Sequence, residues 1–380
     1  MSKVSIVKVQ DDIYSAVASA VDRGFISRGD RVLLKPNLVE PADPESGQIT
    51  TPKLLEAVAH YCLDSGASKV IIGEGPGYYQ PNSHLRECFT HTGVAEVAKK
   101  LGIEWALFDE HNYRTFDSIP DCIPREFRVT EFAFSCDKFI NLPVLKSHWL
   151  TKVTLAMKNL KGCLKREDKP LFHSLNINRA IVELCKIVRP SLNIIDGTPK
   201  SITRQLWTGY SHWKGTNAGL ILVSSDIVAI DVVGSALMGI DPKSVATINL
   251  GAASGLGEGN LVRIDIAGEE LKQLEFKPTL PQEELEDTFP RLVITGFEKA
   301  CSGCLIPLLS AISTLKERGV KSQKPLTVYI GMKPNEPNQD IFLAIGDCAV
   351  SKDDSETTSV RGCPPSREEI LSLLASFLSD

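Results

Sequence analysis

RVLLKPNLVEPADPESGQITTPKLLEAVAHYCLDSGASKVIIGEGPG, residues 31–77, is the stretch that decides the fold. Two short β-branched runs, Arg31–Leu34 and Lys69–Gly73, flank an amphipathic stretch at Pro52–Ser65. Parallel strands need a long crossover, and a helix supplies one, so this order marks a parallel sheet. The alternation continues outward. Further runs lie at Val4–Val9, Glu104–Phe108, Lys138–Leu142, Leu192–Ile195, Gly219–Val223, Arg263–Ile266, Arg291–Thr295, Leu326–Ile330 and Ile341–Ile345. Helical patterns lie at Ile13–Val21, Val94–Leu101, Ile177–Val188 and Val228–Met238. The reading is an α/β protein with a largely parallel sheet core, long enough to form two lobes, plus a small C-terminal α/β domain. The segment KPTLPQEELEDTFP, 277–290, reads as a linker or lid between an α/β domain at 1–276 and the small domain at 291–380.

The chain has 380 residues, 43% hydrophobic and 23% charged, which excludes a disordered chain, a fibre or a coiled coil. Its charge sum, 42 − 47 = −5, gives no global reason to bind nucleic acid or an anionic membrane. The start, MSKVSIVKVQDDIYS, is broken by Lys8, Asp11 and Asp12 and lacks the apolar core of a secretory signal. The apolar stretch Ala218–Met238 holds Asp226 and Asp231, against a membrane span. The expectation is a cytoplasmic protein with reduced thiols.

Ligands of parallel α/β sheets sit outside the carboxyl ends of the strands. The residues after the runs are therefore site candidates: Lys35 and Asn37, Glu74, Lys146 and His148, Asp196, and Ser224–Asp226. If the runs share one parallel sheet, these line one rim. Each also has a plain structural reading. Asp226 suits a helix cap, Asp196-Gly197 a turn, and a lone lysine a solvated surface. The segment LKSHWLTKVTLAMKNLK, 145–161, is a cationic patch in an acidic protein and suits a phosphate or carboxylate. Read as a helix from Thr151, it sets Thr151, Thr154 and Lys158 on one face, with Asn159 beside them. His148, Lys146, His173 and Glu74 are the acid/base candidates; Lys35, Asn37, Thr151, Lys158, Asn159 and Asp196 are the ligand-binding ones. No G-x-G-x-x-G follows a strand in the required context, and no P-loop motif occurs.

The pieces LLKPNLV (33–39), IIGEGPG (71–77), LPVLKSH (142–148), VTLAMKNLKGCL (153–164), LNIIDGT (192–198) and SSDIVAID (224–231), with His173, resemble the family with domain of unknown function 362. The resemblance spans roughly residues 30–260 and implies an α/β core with a shared polar site, without specifying a reaction. Members of that family are commonly described either as uncharacterised or as iron–sulfur-binding, and many carry a ferredoxin-like pair of cysteine runs. No C-x₂-C-x₂-C-x₃-C-P run occurs here, so a cluster would need other ligands.

Four of the ten cysteines fall after residue 300: Cys301-x₂-Cys304, Cys348 and Cys363-Pro364-Pro365. All map to strand carboxyl ends or helix amino ends, where thiolates can converge and N–H groups favour an anionic cluster. The spacing is similar to the proximal [4Fe–4S] site of nickel–iron hydrogenase small subunits and to a cluster subunit of respiratory complex I. That resemblance implies a [4Fe–4S] cluster on Cys301, Cys304, Cys348 and Cys363, and no hydrogen chemistry. Zinc and unliganded thiols stay open as alternatives. Two functions follow. One is a redox or redox-coupled enzyme for an anionic small molecule, with an electron-transfer protein as partner. The other is a non-redox ligand-binding or acid/base module, racemase-like in architecture, with a structural or regulatory cluster. A cluster carrier is a third.

Overall fold

The computed structural model describes residues 1–10, 12–77, 85–117, 125–148, 151–174, 176–199, 218–271, 288–296, 300, 302–331, 342–350 and 358–378. The strands are β1 Lys3–Lys8, β2 Arg31–Pro36, β3 Lys69–Glu74, β4 Glu104–Leu107, β5 Tyr113–Asp117, β6 Glu126–Thr130, β7 Lys138–Leu142, β8 Lys146–His148, β9 Lys152–Thr154, β10 Leu192–Gly197, β11 Leu220–Ser224, β12 Asp265–Gly268, β13 Leu292–Thr295, β14 Leu326–Ile330, β15 Phe342–Ile345 and β16 Ser359–Val360. Eight of them form one sheet in the order β12-β1-β11-β10-β7-β2-β3-β4. Every neighbouring pair is parallel except those of β11, which runs antiparallel to both β1 and β10. The sheet is thus largely parallel, as expected. One expectation fails: because β11 points the other way, its end runs from Ser224, in register with Asn193, to Asp226 away from the rim of Lys35 and Glu74. Asp226 there caps the helix Ile227–Leu237, accepting from Val228 N and Ala229 N.

Both faces of the sheet are covered, which explains why its central strands read as continuous apolar runs. Adjacent residues of one strand go to opposite faces. Leu33, Ile195 and Leu222 pack against the helices Ile177–Ile187 and Ile227–Leu237. Val32, Leu34, Ile194 and Ile221 pack against the helices Ile13–Ala20, Pro52–Asp64 and Val94–Leu101. Each such fully buried side chain stabilises by about 1.5–3 kcal/mol. The helix Pro52–Asp64 starts where the sequence directs it: Pro52 occupies its first turn, and the Thr51 hydroxyl accepts from Leu54 N.

A second sheet, β13-β14-β15-β16, is parallel throughout and packs on the helices Ser302–Glu317 and Arg367–Leu378. Two hairpins, β5–β6 and β8–β9, stand outside the sheets. Most of the segment read as a linker, 277–287, lies outside the described residues. The helix Ser302–Glu317 packs against the short helix Lys169–Ser174 of the larger unit. Among the described residues no helix is long and apolar enough to cross a membrane.

Candidate functional site

A row of polar residues crosses the buried large sheet. The strand register sets Lys35 beside Asn141, Asn141 beside Asn193, and Asn193 beside Ser224. All four are buried, so their polar atoms must pair with one another or with backbone. They do. Asn141 Nδ2 donates to Asn193 Oδ1 at 2.9 Å and to Ala156 O at 3.0 Å. Asn193 Nδ2 donates to Ser224 O at 3.3 Å. Asn159 Nδ2 donates to Asn141 Oδ1, and Asn37 Nδ2 to Asn159 Oδ1, both at 2.8 Å.

Lys35 has no exposed surface, so its ammonium needs a charged partner. Its Nζ lies 2.8 Å from Glu74 Oε2 and donates to Pro36 O at 3.1 Å. Glu74 Oε1 in turn accepts from Gly75 N. The turn Leu160–Cys163 closes over this ion pair. A Cβ on Gly162 would overlap both Glu74 Oε1 and Lys35 Nζ, so only glycine permits the approach. The short helix Ala156–Asn159 that leads into this turn is fixed by Asp231, which accepts from Ala156 N at 2.7 Å and Met157 N at 3.1 Å. Burial raises the Asp231 pKa to about 7.

Four further lysines gather around this pair. Lys146 Nζ donates to Asn37 Oδ1 at 2.9 Å and Gln48 O at 2.6 Å. Burial lowers its pKa to about 7, against the opposing pull of Glu40 and Glu74. Lys169 Nζ donates to Gly75 O and Pro76 O at 2.8 and 2.9 Å; burial lowers its pKa too, while Asp109 and Glu74 resist. Lys161 is lowered to about 7, by burial first and then by Lys169. Lys158 donates to Thr154 Oγ1 at 3.2 Å and is lowered well below the ordinary lysine value, by burial first, then by Lys161 and Lys146. Lys158 and Lys161 keep partial surface access, whereas Lys35, Lys146 and Lys169 are buried. Five amines thus share a region with few carboxylates, and an anion placed among them would relieve their repulsion.

The expected residues separate into groups. Lys35, Asn37, Glu74, Lys146 and Asn159 are joined by hydrogen bonds, with Lys158 alongside. Asp196 stands apart: Oδ2 accepts from Thr51 N and Oγ1, and Oδ1 from Thr198 N and Oγ1. It anchors the start of the helix Pro52–Asp64. The helical reading from Thr151 is also corrected. Residues 152–154 form β9, and helix begins only at Ala156, so Thr151, Thr154 and Lys158 do not repeat along one helix. His148 and Thr151 belong to the β8–β9 hairpin, where His148 Nδ1 accepts from Thr151 N and Thr151 Oγ1 donates to Val153 O. His173 lies on the helix Lys169–Ser174, and its side chain is outside what is described. The sequence reading missed Lys169, Asn141 and Asn193. For the two asparagines a signal existed, an amide inside the apolar runs FINL and LNII.

In the small sheet, a Cβ on Gly346 would overlap Cys304 Sγ. Gly346 N donates to Val360 O at 2.8 Å, and Gly362 N donates to Asp347 Oδ1 at 2.9 Å. Cys304, the turn bearing Cys348, and the Gly362-Cys363 step therefore adjoin at one edge. Cys304 is buried, Cys348 and Cys363 are exposed, and Cys301 lies outside the described residues. Among the described residues no three His, Cys, Asp or Glu side chains are grouped as they would be around a metal ion.

The sequence profile described as Domain of unknown function (DUF362) matches residues 32–236. A thylakoid-associated protein of Synechocystis sp. is 32% identical over 231 residues, which span 59% of this chain and 68% of that protein. Among solved structures, the lactate racemase apoprotein of Thermoanaerobacterium thermosaccharolyticum aligns at a TM-score of 0.44 and 10% identity, over 100% of this chain and 81% of the other. A protein from Thermotoga maritima aligns at 0.35 and 9% identity, over 83% and 68%.

Proposed function

Since the chain belongs to the family of the domain of unknown function DUF362, we propose that it is a redox-coupled enzyme acting on an anionic small molecule. The anion, a carboxylate or phosphate, is held by Lys146, Lys158, Lys161 and Lys169, with Lys35 and Glu74 beneath. An iron–sulfur cluster is held by Cys301, Cys304, Cys348 and Cys363. The observation that carries the coupling is the packing of Ser302–Glu317 on Lys169–Ser174. The first of these helices starts within the C-x₂-C motif and carries Cys304, and the second sends Lys169 to the amine cluster. The cluster's fit is supported by three thiol-bearing segments adjoining at one edge and by Gly346, which leaves room beside Cys304. When bound, the cluster would supply one-electron chemistry. The protein's own groups bind and orient the anion and exchange protons with it.

The test is anaerobic purification of the full chain, with iron and sulfide analysis and EPR of the reduced protein. A [4Fe–4S] content, lost in Cys348→Ala, is expected, together with an EPR signal that shifts when inorganic phosphate is added. Protein free of iron and sulfide would overturn the cluster. A spectrum and a melting temperature both indifferent to phosphate would overturn the anion site.

A second reading, acid/base chemistry without electron transfer, is favoured by the two amines drawn down to about 7, Lys146 and Lys161. Proton exchange at neutral pH is most effective for groups poised there. Turnover unaffected by the oxidation state of the protein would favour this reading over the first.

A further inference from the structure

The five lysines are not equivalent. Lys35 is neutralised by Glu74, and Lys146 and Lys169 each donate to two fixed oxygens. Lys158 differs. Its amine has a single neutral hydroxyl partner, Thr154 Oγ1, and among the described residues no carboxylate pairs with it. It keeps partial access to the surface, from the short helix Ala156–Asn159 that Asp231 holds in place. Two other lysines, Lys146 and Lys161, are its electrostatic neighbours.

We infer that Lys158 is a nucleophilic amine that forms an imine with the carbonyl carbon of a 2-oxo acid or a similar carbonyl compound bearing an anionic group. The inference rests on the anion site proposed above and adds a covalent role to it. A lysine attacks only through its neutral form, and desolvation beside other cations is the established way to maintain that form at neutral pH. The downward shift at Lys158 has these two causes, in that order. The neighbouring Lys146 and Lys161 hold the anionic end of the ligand and so bring its carbonyl to the amine.

The chemistry balances without a further reactant. The Lys158 nitrogen lone pair forms a C–N bond as the carbonyl π bond breaks. The oxygen then leaves as water, taking both hydrogens of the amine, and a neutral imine remains. Because protonation blocks attack, the rate of adduct formation should rise with pH up to the amine's pKa and then level off.

The test uses the full chain with pyruvate as probe, trapped with cyanoborohydride and mapped by peptide mass spectrometry. Reduced pyruvate on Lys158 is expected, at least ten times more than on exposed lysines such as Lys53. Lys158→Met should abolish that adduct while retaining the circular dichroism spectrum of the parent. Lys158→Arg should likewise form no adduct, and phosphate binding is read on the parent protein by thermal shift. Labelling spread evenly over surface lysines, or concentrated on Lys146 or Lys161, would overturn the inference. Phosphate binding without any adduct sinks the imine alone; an adduct without phosphate binding sinks the anion site alone.

Discussion

Lys35 and Glu74 form an ion pair inside a sheet covered on both faces, and that placement fixes what a substitution does. Glu74→Gln leaves a buried ammonium without its counter-charge, and the expected loss is about 3–5 kcal/mol of stability. The double variant Lys35→Met/Glu74→Leu removes both charges and should regain most of it. Urea titrations of the three proteins check this; a single variant within about 1 kcal/mol of the parent would show that the pair is not isolated from water. Much of this cluster was legible in sequence. Lys35, Asn37, Glu74 and Lys146 follow apolar runs, and parallel sheets bring such residues to one rim. Asp196 also follows a run, yet its oxygens are taken by Thr51 and Thr198, a pairing set by tertiary structure. Lys169 reaches the site from a separate helix and left no local trace.

At the scale of elements, the turn Leu160–Cys163 acts as a cover on the ion pair, with Gly162 as the point of contact. Gly162→Ala puts a methyl group where two charged side chains stand, and one of them has to move. Overpacking of this kind costs about 1–3 kcal/mol. We expect a lower denaturant midpoint together with weakened phosphate binding, whereas Gly24→Ala, which meets no neighbour but is strained by its left-handed φ of 82°, should lower the midpoint and leave phosphate binding unchanged. Unaltered binding in Gly162→Ala would mean the cover is not part of the site. Strand and helix positions could largely be read from periodicity, the helix Ile177–Ile187 among them. Direction could not, since an apolar run such as LILV looks the same either way, and β11 is reversed. The segment 151–158 misled because Thr and Val at short range fit a strand as well as a helix. The β5–β6 hairpin went unread because β5 is largely exposed and the alternation of β6, EFRVT, extends over only five residues.

For the molecule as a whole, the buried titratable groups shape stability against pH. Asp231 is raised from 3.8 to about 7, so between those values the native state keeps a proton that the unfolded chain has released. Stability from this group therefore falls as pH rises through that window. Lys146 and Lys161 drop from 10.5 to about 7, so above neutrality the unfolded chain holds the extra protons, and stability rises with pH up to about 10. Together these groups give a minimum near pH 7 in the denaturant midpoint. Asp231→Asn should flatten the acidic arm and spare the alkaline one; an acidic arm that falls as steeply in this variant as in the parent would contradict the assignment. The position of β1 has a different consequence, for the order in which the sheet can be built. Its slot lies between β11 and β12, and Ser2 Oγ bonds Asp226, 224 residues along the chain. Strand β1, made before the other strands of its sheet, must wait for some of the latest segments of that sheet. A nascent chain halted before residue 220 holds β1 with no partner and leaves the flank of β10 as an open, apolar edge. Completion of the large sheet is thereby tied to synthesis of residues well beyond the last strand that bears a lysine of the site.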